Sequence, residues 1–415
     1  MSYDPAPSRT PVDGTRTEEP QALPVDRHTG CPFDPPDGLV PPGDEPLRRM
    51  RYADGHVGWL VTGHAAARAL LADPRISSRY ELLHPPVPMP GMPEELPPAP
   101  VGDMTGLDAP EHTRYRRLLT GKFTVRRMRR LTERIEHFTA RCLDEMEQAG
   151  PGADLVTAFA QPVPALVICE LLGVPYADRD RFRGQVAALF DQTAAPEARE
   201  GALGELFAYL NELVLAKRAE PTDDLLSELT TSNLHDEELA GIGSLLLAAG
   251  LDTTANMLAL GTFALLSNPG QLAALRAEPA LAGQAVEELL RYLSVADPLV
   301  RAALEDIEIE GRLIRAGETV TVSVQAANRD PRRFPRPDGL DLRREAVGHL
   351  AFGHGAHQCL GQQLARVEMT VAFPALLARF PTLRLAVPAH EVRMRERSNI
   401  YGVLSLPVTW DEVQP

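Results

Sequence analysis

The sequence predicts a mainly α-helical fold with small β-sheets at its side. A single helical pattern of about thirty residues starts near Asp236 and runs to Ser267. Other apolar repeats at helical spacing occupy the middle of the chain. Segments with strand character are short and lie towards the two ends.

In chain order, residues 1–30 are rich in Pro, Asp, Glu and Thr and poor in large apolar side chains, which predicts a flexible N-terminal tail. The remainder, 31–415, is expected to be one domain. Its length would allow two or three, but no Gly/Ser linker, composition break or internal repeat interrupts residues 45–410. Gly58-Trp59-Leu60-Val61-Thr62 has strand character, and His64 to Leu71 reads as a helix stopped at Asp73-Pro74. Eight prolines between residues 82 and 101 rule out a persistent helix or central strand there, so a long irregular loop is expected. Leu206, Leu210, Leu213 and Val214 recur at helical spacing before Pro221. Asp236-Glu237-Glu238 suits the start of the long helix and Asn268-Pro269-Gly270 its end. At 1.5 Å per residue that helix is roughly 45 Å long. Short strands are expected at Ile307 to Ile309, Thr319 to Val324 and Leu404 to Thr409.

With 415 residues and 44% hydrophobic content the chain can bury a large core. The net charge of −15 disfavours nucleic acid as a partner. No apolar N-terminal segment and no run of 18 apolar residues is seen, so a cytoplasmic protein without a membrane anchor is expected. The four cysteines, Cys31, Cys142, Cys169 and Cys359, form no C-x-x-C pair, which argues against a zinc site or a disulfide framework. Cys142 and Cys169 sit in helical apolar patterns and read as inert core thiols. One segment opposes the acidic balance: Arg114, Arg116, Arg117, Lys122, Arg126, Arg127, Arg129 and Arg130 follow one another with no acid between them.

The most informative stretch is Phe352-Gly353-His354-Gly355-Ala356-His357-Gln358-Cys359-Leu360-Gly361. Its three glycines permit unusual backbone angles and a close approach of the main chain to a flat ligand. Leu364, Ala365, Val367 and Met369 then mark the buried side of a helix, which puts Cys359 at or just before a helix N-terminus. There the unpaired N–H groups and the helix dipole favour a thiolate. These ten residues match F-x-x-G-x-[HR]-x-C-x-G, and the chain resembles the cytochrome P-450 superfamily, in its soluble actinobacterial members, from about residue 45 to Trp410. The resemblance implies a triangular helical prism holding haem b (iron protoporphyrin IX) between the long central helix and the helix after the cysteine loop. Cys359 would be the iron ligand, with Phe352, Gly353 and Gly361 shaping the loop around the cofactor. A thiolate ligand favours O–O cleavage.

Further motifs carry the same resemblance. Ala249-Gly250-Leu251-Asp252-Thr253-Thr254 places an acid and an alcohol inside an apolar helix. Such groups can simply bond to the backbone, but the block matches [AG]-G-x-[DE]-T-[TS]. By that likeness Ala249 and Gly250 open space beside the cofactor, Thr253 hydrogen-bonds bound dioxygen, and Asp252 helps to deliver protons from solvent. Glu288 and Arg291, three apart on one helix face, match E-x-x-R and imply a buried structural pair. An arginine from residues 327–334 or the loop after them would complete it, and Arg329, Arg332 and Arg333 remain open for that role. Haem carboxylates need partners when buried, and the likeness offers His112, Arg116, Arg301 and His357.

The resemblance places substrate contacts at Met89, Met92, Phe182, Phe190, Leu245, Ala248, Leu299, Val300, Ile400 and Tyr401, each of which could equally be ordinary core. Their apolar character suits a bulky hydrophobic compound. The implied activity is a monooxygenase that inserts one atom of O2 by hydroxylation or epoxidation, in secondary metabolism or xenobiotic oxidation. No Gly-x-Gly-x-x-Gly after a strand and no ferredoxin cysteine cluster occurs, so electrons are expected from a separate ferredoxin and its reductase. They would dock near Arg114 to Arg130 on a monomeric enzyme. A peroxide-driven or non-oxygenating haem-thiolate enzyme, or a silent haem-binding scaffold, is the alternative. The Asp252-Thr253 pair argues against an enzyme with no use for controlled proton delivery.

Overall fold

Helix punctuation in the sequence translates directly into elements. The structure, a computed structural model, describes residues 19–27, 30–40, 45–87, 95–123, 125–190, 195–395 and 398–414. Its helices are α1 (His64–Ala72), α2 (Glu111–Thr120), α3 (Val125–Ala149), α4 (Pro162–Leu172), α5 (Arg179–Phe190) and α6 (Pro196–Ala219), then α7 (Leu225–Thr230), α8 (Asp236–Ser267), α9 (Pro269–Ala277), α10 (Ala282–Leu293), α11 (Val324–Ala327) and α12 (Gln362–Arg379). The strands are β1 (Leu47–Arg51), β2 (Val57–Val61), β3 (Ile76–Ser77), β4 (Leu299–Ala303), β5 (Ile307–Ile309) and β6 (Arg312–Ile314), then β7 (Thr319–Val322), β8 (Arg384–Leu385), β9 (Arg393–Arg395), β10 (Gly402–Ser405) and β11 (Val408–Thr409). The fold is therefore mainly α with small sheets, as the periodicity predicts.

The long helix α8 has the bounds expected of it. A capping box joins His235 and Glu238, and three acids in the first turn complement the helix dipole. Because α8 is apolar on nearly all sides it must be buried, and it packs against α4, α6, α10 and α12. Among the described residues it is the one helix long and apolar enough to cross a membrane; most of its apolar window lies inside the protein. Gly261 lets α12 come close, since a Cβ there would stand 2.6 Å from Cζ of Phe373. Cys142 and Cys169 are buried, as expected of core thiols.

The largest sheet has the order β1-β2-β7-β4-β3. Parallel pairing of β2 with β7 aligns Trp59 with Val320, and antiparallel pairing of β4 with β7 aligns Arg301 with Val320. This sheet and α1 share a second core, built on Leu47, Val61, Leu70, Val320 and Val322. Two expectations need correction. The strand expected over Leu404 to Thr409 is split: β10 pairs with β9 while β11 pairs with β8, and Leu406-Pro407 lies between. The last described part of the expected tail is docked. Gln21 bridges to Met50, and Arg27 bonds Gln325 Oε1 at 2.7 Å and stacks 3.7 Å over the ring of Tyr401. Few apolar side chains are needed for that attachment, which is why composition misses it. In the proline-rich stretch the described residues 83–87 and 95–103 form neither helix nor strand.

Glu288 and Arg291 on α10 are fully buried and bidentate, with Nε–Oε2 at 2.7 Å and Nη2–Oε1 at 2.8 Å. Arg291 also donates to the carbonyls of Asn328 and Pro337, both at 2.9 Å. The third member is none of the three arginines left open in the sequence. Arg344, from the loop beyond them, reaches Glu288 Oε1 at 3.1 Å. Arg329 instead bonds the carbonyls of Phe33 and Tyr292, Arg332 pairs with Asp330, and Arg333 bonds the Val347 carbonyl. The network ties α10 to the whole segment that leads into the cysteine loop. Removing one partner of such a pair leaves a buried charge, so Arg291→Ala should cost about 3–5 kcal/mol. Urea denaturation of the holoprotein measures this; stability equal to wild type would contradict the role.

Candidate functional site

The cysteine loop is shaped by two left-handed glycines. Gly353 has φ +66° and Gly355 φ +76°, and a Cβ on Gly355 would lie 2.1 Å from the Leu71 carbonyl oxygen of α1. Gly361 has an ordinary φ and open space on its Cβ side. The loop closes on itself where the Cys359 N–H donates to the Phe352 carbonyl at 2.9 Å. Helix α12 starts three residues after Cys359, as the pattern predicts.

Residues that the motifs do not mark hold this loop from outside. Glu287, beside Glu288 on α10, pairs with His349 at 3.2 Å and with Arg366 of α12. Arg366 in turn stacks 4.6 Å over the Phe352 ring. Asn328 Oδ1 accepts from the Leu350 N–H at 2.7 Å. Two adjacent acids on α10 thus serve two networks, and only one of them lies in a recognisable spacing.

Cys359 is accessible at its surface, yet its surroundings desolvate it, so it faces an interior hollow. Burial pushes its thiol up, against the N–H groups of Gly361 and Gln362 and the charges of Arg116 and Arg366. The N–H groups at the helix start favour the thiolate, as expected, and burial opposes them. The desolvation exceeds those donors, and a coordinated metal ion is what deprotonates a thiol in such a place.

His112, Arg116 and Arg301 gather around His357, and Arg116 is the one of them whose charge reaches the sulfur. The rings of His112 and His357 are 4.1 Å apart. Burial, then His112 and Arg301, push His357 down to about 3, and burial followed by Arg116 lowers His112. Both shifts disfavour the imidazolium form, so the set is two guanidinium groups with two imidazoles that are weaker cations than the sequence suggests. Burial also lowers Arg116, and it brings Arg301 to about 10. Among the described residues no carboxylate forms an ion pair with either arginine. Asp108, the acid this group feels, is engaged by Ser77 Oγ at 2.5 Å and the Ser78 N–H at 3.0 Å. Nε2 of His112 is buried without a hydrogen-bond partner. An unpartnered imidazole nitrogen next to two guanidinium groups without ion pairs fits a ligand with two carboxylates, which haem has.

Ala248 and Ala249 are exposed in the middle of α8, a helix that is otherwise largely buried, with Gly250 and Thr253 half-exposed beside them. A Cβ on Gly250 would meet only Ile168 Cδ1, at 3.6 Å, so contacts within the described protein do not demand a glycine. Thr253 Oγ1 donates to the Ala249 carbonyl at 2.8 Å. Asp252 points away from it. Its carboxylate takes Arg395 Nη1 of β9 at 2.6 Å and Asn256 Nδ2 at 3.0 Å. Gly402 of β10, paired in register with Arg395, leaves the room that Asn256 uses, since a Cβ there would fall 1.7 Å from Asn256 Oδ1. Arg395 carries no sequence signal, because it lies 143 residues from Asp252, whereas Asn256 is four residues after Asp252 on the same helix and within reach of helical spacing.

The expected substrate contacts separate into groups. Leu245 and Ala248 line a cavity of about 200 Å³ between residues 100–103, α6 and α8. Leu299 and Val300 are half-buried on β4 next to Arg301, and Ile400 is half-buried where it bridges to Ala296. Two others are corrected. Phe182 is fully buried core, set edge-on to the Tyr209 ring, and Tyr401 is buried with its hydroxyl on the Pro32 carbonyl at 2.7 Å. Phe190 ends α5 and its side chain lies outside the description, as do Met89 and Met92 altogether. The cavity wall also includes Val101, Asp103, Leu206 and Phe207, which no motif marks.

A glycine-shaped cysteine loop and clustered donors for two carboxylates fit a haem-thiolate site. The comparisons agree. The cytochrome P450 family model matches residues 208–408. Cytochrome P450 105C1 of a Streptomyces species is 52% identical over 368 residues, covering 88% of this chain and 92% of that protein. Pentalenic acid synthase of Streptomyces avermitilis is 48% identical over 405 residues, covering 96% and 99%. The crystal structure of cytochrome P450 MoxA from Nonomuraea recticatena superposes with a TM-score of 0.87 at 42% identity, over 95% of this chain and 99% of that one. The chain belongs to the cytochrome P450 family and is a P450 monooxygenase whose cofactor is a haem with a thiolate ligand.

The Glu287 junction has a pH signature. Burial alone would raise its carboxyl, but hydrogen bonds from His349 and Arg366 outweigh this and hold it at about 2, against an ordinary 4.5. Its contribution is therefore complete above about pH 4.5 and lost as pH falls towards 2, and it amounts to about 3 kcal/mol at most. Glu287→Gln should be less stable than wild type at neutral pH, with the gap narrowing through that acid window in urea titrations. A gap independent of pH would contradict the assignment.

Proposed function

We propose that this enzyme hydroxylates or epoxidises a bulky hydrophobic compound, in secondary metabolism or xenobiotic oxidation, with electrons from a ferredoxin and its reductase. The single observation that carries this reading is the apolar cavity opening beside Ala248 on α8, between one and two turns before Thr253. Apolar walls of this kind bind by excluding water and leave orientation to a few polar groups. The relatives point the same way: one is named a pentalenic acid synthase and another, 46% identical, a vitamin D3 dihydroxylase of Streptomyces griseolus.

Bound haem supplies the activation of O2. The protein's own residues bind, orient and protonate. Cys359 is the iron ligand, with Phe352, Gly353 and Gly361 around it, and His112, Arg116, Arg301 and His357 take the two haem carboxylates. Ala249 and Gly250 give the small side of α8. The Thr253 hydroxyl, once turned from the Ala249 carbonyl, can donate its proton into the hollow. Asp252 can resupply that proton after exchanging its Arg395 contact. Cytoplasmic location and a monomeric state complete the reading.

The basic segment Arg114 to Arg130 remains the proposed docking face, with fewer free cations than its sequence suggests. Arg114 pairs with Glu238, Lys122 pairs with Glu228, and Arg116 lies beside the thiol. Of the four cations whose side chains are described, Arg117 is the exposed one without an ion pair among the described residues.

Thr253→Ala tests the proton route. It should leave haem content and the ferrous–CO band intact while product formed per NAD(P)H consumed drops about tenfold and peroxide rises. An unchanged yield per NAD(P)H would remove Thr253 from the mechanism.

A further inference from the structure

The cavity beside α8 has one ionisable side chain in its wall. Val101, Leu206, Phe207 and Leu245 make it apolar, and Ser244 turns its hydroxyl proton to the Ala240 carbonyl at 2.9 Å. The exception is Asp103.

Its carboxylate is held in place by neutral donors. One oxygen accepts from the Thr105 N–H at 2.9 Å and the Thr105 hydroxyl at 2.5 Å, and the other accepts from the Tyr80 hydroxyl at 2.9 Å. Burial, with the Asp103 charge adding to it, pushes the Tyr80 phenol up to about 12, so it remains a donor. No Lys, Arg or His pairs with Asp103 among the described residues. The backbone beneath it is fixed too. Gly102, at φ +86°, and Gly241 of α8 allow main chain to lie on main chain, since a Cβ on Gly241 would stand 1.9 Å from the Val101 carbonyl oxygen.

Building on the monooxygenase reading, we infer that the substrate carries a positively charged amine on an otherwise apolar body and that Asp103 selects it. A fixed carboxylate in an apolar wall is costly unless water or a cation pairs with it. Asp103 is half-buried, so its carboxylate is solvated, and a ligand ammonium exchanges that water for a direct ion pair. The neutral donors already present orient the carboxylate without cancelling its charge. A ligand carboxylate would be repelled. Gly241 and Ala248, both in the cavity wall, are about 10 Å apart along α8, so the charged end and the carbon near Thr253 lie at opposite ends of the ligand.

The test uses three ten-carbon probes on the holoenzyme: decyltrimethylammonium, which has no lone pair for iron, 1-decanol and decanoate. Calorimetry at low salt gives each Kd, and the Soret shift reports arrival near the haem. The ammonium should bind at least about tenfold more tightly than the alcohol, with decanoate weakest and the preference fading as salt rises. Asp103→Ser keeps an oxygen for the Thr105 N–H while removing the charge, and it should bring ammonium and alcohol to within about twofold of each other. Equal affinity for ammonium and alcohol in wild type, or a preference that survives Asp103→Ser, would overturn the inference. The wild-type comparison and its salt dependence decide the matter even if the variant does not fold. Loss of the monooxygenase reading would show separately, as NAD(P)H-driven turnover absent for every hydrophobic compound while the binding preference stands.

Discussion

The structure depends on one electrostatic constraint. Inside the protein, two guanidinium groups and two imidazoles meet near a desolvated cysteine, with no ion pair to a protein carboxylate among the described residues. Such a collection is unfavourable by itself, because buried charge without a partner costs several kcal/mol. A ligand that brings two carboxylates and a metal ion answers all of it at once. The fold is best understood as the scaffold that keeps these groups together until that ligand binds.

Each part of the scaffold meets that demand locally. Helix α10 presents Glu288 inward to Arg291 and Arg344, and Glu287 to His349 and Arg366, so one turn of helix anchors both the approach to the cysteine loop and the helix after it. The five-stranded sheet delivers Arg301 on β4, in register with Val320 of β7. Opposite, α8 crosses the protein as a core helix and exposes only small residues where the hollow needs width. The supports therefore hold a cysteine loop beside donors for two carboxylates, and a core helix that carries an acid, an alcohol and one wall of an apolar cavity.

Much of this was legible in the sequence because local patterns encode it. The bounds of α8 follow from an acidic first turn and an Asn-Pro stop, and Cys359 is marked by glycines whose positive φ is a local requirement. Glu288 and Arg291 are three residues apart, so a helix brings them together without help. What sequence reasoning missed depends on distant segments meeting. Arg344 lies 56 residues from Glu288, and Arg395 lies 143 from Asp252. Asp103 lies just beyond the proline-rich loop and in no motif, and the approach of Val101-Gly102 to Gly241 gives it a place in the cavity wall. Phe182 and Tyr401 were misread for the complementary reason: an apolar ring looks the same in a sequence whether it faces a ligand or the core.

The central claim is that Cys359 is the thiolate ligand of a haem held by these donors. The most direct measurement is the difference spectrum of dithionite-reduced protein with and without carbon monoxide, for wild type and Cys359→His. The account predicts a strongly red-shifted Soret band in wild type that disappears in the variant. A wild-type band typical of histidine ligation, or one that persists in Cys359→His, would contradict it.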